Sequence, residues 1–193
     1  NQLPVVAVRQ PLLTGSIDRI LKHCQFAAES INADQCSGHH RDFHPDQILV
    51  DGPRLWLVDF DLYCCGHPAI DAGNFCGHLY ESAVRNPSVA AELHRFASVF
   101  QQHISSGISA LSRDDVVHCT ALTIARLICL SDRAADGESL TPHIVHLMEQ
   151  FCRPFWRSEP AFHQLDHTAF PFQKSGDPIA PTHQAEHQND TTR

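Results

Sequence analysis

Between Ile48 and Val58 the sequence changes period. Ile48-Leu49-Val50 and Leu55-Trp56-Leu57-Val58 are short apolar runs on either side of Asp51-Gly52-Pro53, which predicts two short strands joined by a tight hairpin. The pattern elsewhere is helical, so the class that follows is α+β, mostly helical, with one small hairpin. After an extended opening rich in Val and Pro, apolar residues at Ile17, Ile20, Leu21, Cys24, Ala27, Ala28 and Ile31 recur at three- and four-residue steps. This predicts an amphipathic helix capped by Thr14 or Ser16. A polar loop, Asn32 to His39, follows it. From Pro68 onward the chain reads as helices. Asn86-Pro87 is a cap with proline at the first helical position, opening a helix to about Gly107. Ser112-x-x-Asp115 has the form of a capping box ahead of Val116 to Leu130, and Thr141-Pro142 starts a last helix that stops before Pro154. Beyond Arg157, Pro160, Pro171, Pro178 and Pro181 sit among scattered His and Gln. One unit over 1–157 and a mobile tail over 158–193 are therefore expected.

The charge balance excludes some functions. Among 193 residues there are 14 Lys+Arg against 22 Asp+Glu, a formal charge of -8. An acidic chain without a basic run lacks what a protein needs to neutralise many phosphates, so nucleic acid is not an expected partner. The longest apolar run, Val116 to Leu130, is interrupted by His118 and Arg126 and is shorter than the roughly 20 residues of a membrane-spanning helix. No signal peptide opens the chain. None of the eight cysteines forms a C-x-x-C pair, and Cys64 and Cys65 are adjacent, so they read as reduced thiols of a cytoplasmic protein, mostly small core residues. Cys64-Cys65 suits packing better than redox chemistry. The chain starts at Asn1 and its single methionine is Met148, which predicts a fragment of a longer protein.

Polar, chemically capable residues are densest in His39-His40-Arg41-Asp42-Phe43-His44-Pro45-Asp46-Gln47 and in Asp59-Phe60-Asp61, which flank the two strands. A hairpin brings its outer ends together, so Asp42 and Gln47 should face Asp59 and Asp61. Two carboxylates and an amide at the mouth of a small sheet suit a hard cation such as Mg²⁺, which takes oxygen ligands and shares its shell with phosphates.

The strings HRDFHPDQILV, VDFD and GHPAIDAGNF resemble the C-terminal lobe of the aminoglycoside phosphotransferase and choline-kinase-like group, relatives of the protein kinases. The family's catalytic loop is H-x-D-x-x-x-x-N, and a following strand of the form hydrophobic-D-aromatic supplies the metal-holding aspartate. The resemblance runs from His40 to about Leu79 and extends more loosely to about Arg153. It implies a protein-kinase-like C-lobe with the hairpin bearing the catalytic loop. It also implies transfer of the terminal phosphate of ATP or GTP to a hydroxyl of a small molecule, with Mg²⁺ as cofactor. Asp42 would accept or orient the proton of the acceptor hydroxyl, and Asp59 would be the principal Mg²⁺ ligand. Gln47 would stand in for the metal-binding Asn on a stem one methylene longer. His40 would pin the loop, and Asp71 would accept loop backbone hydrogen bonds. His67 replaces the family's usual Asp and would leave a neutral or weakly basic group near the metal.

The family's nucleotide clamp has no counterpart in the sequence. The only lysines are Lys22, within an amphipathic helix, and Lys174, within the expected tail, and no two glycines stand at Gly-x-Gly spacing. A second reading is therefore an inactive, truncated or degenerate relative that only binds. A third is a His/Asp metallohydrolase using His39, His40 and His44 with Asp46, although their spacing matches no zinc signature. His163, His167, His183 and His187 read as solvated tail residues. Asp61 either lines the acceptor pocket or caps its strand. For Arg126, pairing with a core carboxylate or a helix end is favoured over an acceptor contact. Acidic residues around the site would suit a cationic acceptor such as an aminosugar.

Overall fold

The computed structural model describes residues 2–31, 36–107, 111–133 and 140–157. In chain order the elements are α1 (Leu3–Arg9), α2 (Thr14–Ser30), β1 (Ser37–His39), β2 (Ile48–Asp51), β3 (Arg54–Leu57), β4 (Cys64–Gly66), α3 (Ala69–Arg85), α4 (Ala90–Gly107), α5 (Arg113–Ser131) and α6 (Thr141–Arg157). The expected tail, 158–193, lies outside the described residues, as do positions 32–35 of the expected loop. None of the described helices is long and apolar enough to cross a membrane.

Helix α5 is the central post. Val116, Val117, Thr120, Ala121, Ile124 and Ile128 are completely or almost completely buried, as a helix apolar on most of its faces must be. It touches all five other helices. Ile17 and Ile20 of α2, Phe75 and Leu79 of α3, and Ile144 and Met148 of α6 close the core around it. Ser112 opens α5 by accepting a hydrogen bond from the Asp115 backbone N–H at 3.0 Å, the first half of the expected capping box.

Helix α3 lies against α5 through Gly73 and Gly77, four residues apart on one face. A Cβ at Gly73 would meet the Cys119 side chain and stand 2.6 Å from the Cys119 carbonyl carbon and 2.7 Å from the Thr120 nitrogen. Close approach of the two backbones therefore requires glycine there.

Several local expectations are corrected. The opening segment is the helix α1 and not extended. Leu3 and Val6 are buried in the main core, and this tertiary burial outweighs the β preference of a Val-rich stretch. Neither Thr14 nor Ser16 caps α2. A 3-10 turn, Pro11–Leu13, runs directly into the helix, and the Thr14 hydroxyl donates to the Pro11 carbonyl at 2.9 Å. Asn86 both closes α3, its backbone and side-chain nitrogens donating to the Ser82 carbonyl, and stands ahead of Pro87 at the start of the next turn, without a side-chain cap. A 3-10 turn, Pro87–Val89, then leads into α4. Helix α6 continues through Pro154 to Arg157. A proline so near the end removes one ladder bond, while Ile144, Val145, Met148 and Phe151 hold the packed face.

The hairpin pairs Ile48 with Leu57 and Asp51 with Arg54 in antiparallel register, with Gly52 at φ +54° in its turn. A second small pair was not expected. Strand β1 joins β4 with Gly38 opposite Cys65 and His39 opposite Cys64. Three-residue strands containing glycine have no detectable period. Cys36 and Cys65 are both exposed, with their sulfurs 2.7 Å apart. Cys76, Cys119 and Cys152 are buried and Cys24 and Cys129 pack partly buried against the main core, so most of the eight cysteines serve the core as expected.

Candidate active site

The loop from His40 to Gln47 is suspended between the hairpin and α3. Asp71, in the first turn of α3, accepts the backbone N–H of His40 at 2.7 Å on one oxygen and that of Arg41 at 2.8 Å on the other. Charged acceptors make the stronger hydrogen bonds, and here they hold Arg41 at φ +73°, a left-handed conformation that an L side chain disfavours. The buried His40 ring donates from Nε2 to the Val58 carbonyl at 2.7 Å. It also lies 4.8 Å from the Phe60 ring. Thus the residue two before Asp42 is tied to the residue just before Asp59. Asp59 is itself left-handed at φ +63°, and such strain concentrates at functional sites.

Register explains the next contact. The Val58 N–H donates to the Gln47 carbonyl at 3.0 Å, which extends the hairpin ladder by one rung. Gln47 and Asp59 therefore emerge side by side, and Gln47 Nε2 donates to Asp59 Oδ2 at 3.2 Å. Asp59 is solvent-exposed. Its carboxylate and the Gln47 amide oxygen form a donor set that fits a hard cation retaining several waters. As placed, Gln47 presents nitrogen to Asp59, so ligation by its oxygen needs a half-turn of the amide. Asp61 is exposed in the turn before β4.

Asp42 is partly buried and is linked to that pair through His44, whose Nε2 also stands 3.3 Å from Gln47 Nε2. Its Oδ1 stands 3.6 Å from the Arg126 guanidinium, and its Oδ2 stands 3.8 Å from His44 Nε2. Arg126 also donates to Asn74 Oδ1 at 3.0 Å and lies 3.3 Å from His78 Nε2. Asn74 returns the connection to the loop by donating to the Phe43 carbonyl at 3.0 Å. Arg126 therefore pairs with a carboxylate, as the sequence suggested, but with the partly buried one of the loop, Asp42. It crosses from the exposed side of α5 to the candidate catalytic carboxylate. Asn74 and His78 were missed. The available signal was spacing, since Asn74 lies three and His78 seven residues after Asp71 on one face of α3.

His67 is engaged elsewhere than at Asp59. Its Nδ1 accepts the Ala69 N–H at 3.2 Å at the start of α3, and its Nε2 stands 3.8 Å from Asp115 at the start of α5. It joins two helix starts. The metallohydrolase grouping also separates. His39 Nε2 contacts the Cys64 sulfur at 3.3 Å while His40 reaches Val58. Among the described residues no three His, Cys, Asp or Glu side chains converge as metal ligands.

The His44 and His78 rings stack at 4.8 Å. Burial, then the neighbouring His44 and Arg126, holds the His78 pKa down to about 4 from 6.5. Burial and, secondarily, His118 do the same for His23 in α2, again to about 4. Above pH 6.5 both rings are neutral folded or unfolded, and they add no pH dependence. As the pH falls from 6.5 toward 4, the unfolded chain takes up protons that the folded chain refuses, so stability is lost across that window. The melting temperature is expected to fall steadily between pH 6.5 and 4, less steeply in His78→Gln. A melting temperature that rose on acidification would contradict the assignment.

Residues 32–106 match the model of the phosphotransferase enzyme family APH. All three strings that carry the resemblance lie inside that span. No curated protein and no solved structure matches the chain.

Proposed function

We propose that this chain carries the catalytic-loop half of a small-molecule phosphotransferase, which moves the terminal phosphate of ATP or GTP to a hydroxyl group. The observation that carries the reading is the shared suspension of the two carboxylates. Asp71 fixes the loop just ahead of Asp42, and the His40 ring ties that loop to the residue ahead of Asp59. Phosphoryl transfer asks the protein for positioning and charge neutralisation more than covalent help, and a pair of rigidly related carboxylates meets part of that need. Asp42 accepts the hydroxyl proton as the acceptor oxygen bonds to the terminal phosphorus. The bond from that phosphorus to the bridging oxygen breaks and releases the nucleoside diphosphate. Asp59 and Gln47 would hold Mg²⁺, whose chemistry when bound is to neutralise charge on the phosphate oxygens.

A further observation supports a partner over the hairpin. Leu49 and Trp56 on one face of the hairpin, Val50 and Leu55 on the other, and Phe60 beyond it are all exposed, and exposed apolar surface of this kind marks binding. A nucleobase or the clamp of a longer protein would cover it.

The test is Mg²⁺-dependent nucleotide turnover by the full-length protein and its Asp59→Ala variant, with circular dichroism to show that the fold persists. Retained turnover in the variant would refute the assignment. The second reading, a binding-only relative, is favoured by Gln47, with a stem one methylene longer, in the place of the family's Asn. It predicts no turnover in the unsubstituted full-length protein and Mg-nucleotide binding without reaction.

A further inference from the structure

Beside Asp42, between α3 and α5, opens a cleft of about 360 Å³ whose charge runs against that of the whole chain. Arg41 and Arg126 line it together with Asn74 and Thr123, over apolar walls from Ile70 and Leu122, and no carboxylate lines it. Arg41 is exposed, and its guanidinium has no partner among the described residues. Arg126 uses Nη2 for Asn74, His78 and Asp42, which leaves Nη1 and Nε available. Asp71 holds the Arg41 backbone in its left-handed conformation at the cleft mouth, so this residue stands in a defined place.

We infer that the cleft is an anion subsite for the acceptor: it takes a carboxylate or phosphate group between Arg41 and Arg126, while the hydroxyl of the same molecule reaches Asp42. Two guanidinium groups against the single Asp42 carboxylate leave one net positive charge, and their planar donors match the oxygens of such anions; apolar walls strengthen the attraction by lowering the local dielectric. Arg126 touches both the cleft and Asp42, so a ligand bound there has only a few ångströms to span, the length of a hydroxy acid or a polyol phosphate. The acceptor is then anionic, against the aminosugar suggested by the acidic composition. This inference rests on the reading that Asp42 faces the acceptor.

Titration calorimetry on the 193-residue chain tests it without metal or reaction, so its result stands apart from the turnover test of Asp59→Ala. The probes are glycerate, glycerol 3-phosphate, metal-free ATP, glycerol and glucosamine. Glycerate or glycerol 3-phosphate is expected to bind, and Arg126→Gln and Arg41→Gln are each expected to weaken that binding at least tenfold. Glycerol and glucosamine are expected to give no heat. The proposal is overturned if neither small anion binds, if glucosamine or glycerol binds as well as they do, or if both arginine variants bind unchanged. Binding of ATP alone, sensitive to both arginines, would assign the cleft to the phosphate donor and overturn the acceptor assignment.

Discussion

Asp59→Ala in the full-length protein is expected to abolish Mg²⁺-dependent nucleotide turnover while leaving the fold intact. The two halves of that expectation come from different observations. Asp59 is exposed and outside the core, and it accepts a 3.2 Å hydrogen bond from Gln47. Removing the carboxylate therefore leaves packing unchanged, and it relieves no backbone strain, since alanine tolerates φ +63° less well than aspartate. What disappears is the carboxylate beside the Gln47 amide, which under the proposed function would anchor the cation that neutralises the transferring phosphate. Asp42→Asn provides the contrast. A positioned general base contributes about 10²- to 10⁴-fold in rate, so a residual rate is expected there, with the Michaelis constant for nucleotide little altered. If Asp42→Asn and Asp59→Ala lowered turnover by the same few-fold, the two residues would not hold the separate roles assigned to them.

Gly73→Ala is expected to destabilise the fold by about 3 kcal/mol, measured by urea denaturation, as overpacking of a tight interface does. On propensity alone the sign would be opposite, because glycine inside a helix costs about 1 kcal/mol relative to alanine. The neighbours reverse it. The added methyl would sit 2.6 Å from the Cys119 carbonyl carbon and 2.7 Å from the Thr120 nitrogen, both backbone atoms of the central helix. Neither can rotate away, so α3 must move off α5 and carry Asp71 and Asn74 with it. Gly15→Ala is the control. Near the start of α2 its methyl would meet only the tip of Arg19 at 3.9 Å, and a gain of about 0.5 kcal/mol is expected. Equal responses at the two positions would mean that α3 and α5 do not approach as closely as described.

The parts legible in the sequence are those governed by short-range rules. The hairpin from Ile48 to Leu57 follows from alternation of two apolar runs around Gly52-Pro53, and the α5 start follows from Ser112 and Asp115. The catalytic string was readable as a string, and residues 32–106 do carry the phosphotransferase family pattern. The misreadings share a cause. Val-rich α1 folds as a helix because Leu3 and Val6 find the core, and α6 runs past Pro154 because its packed face outlasts one missing ladder bond. In both, burial across the fold outweighed a local preference.

Local chemistry in the sequence was enough to place a hairpin among helices and to bring the His40–Gln47 loop and Asp59 to its outer ends. Which side chains meet there was decided by the tertiary structure. Gln47 stands beside Asp59 because strand register extends one rung beyond the turn, whereas Asp42 faces Arg126 because two glycines let α3 settle onto α5. Arg126 is 84 residues from Asp42 in the chain. No periodicity or spacing links residues so far apart. Only the packing of one helix against another does.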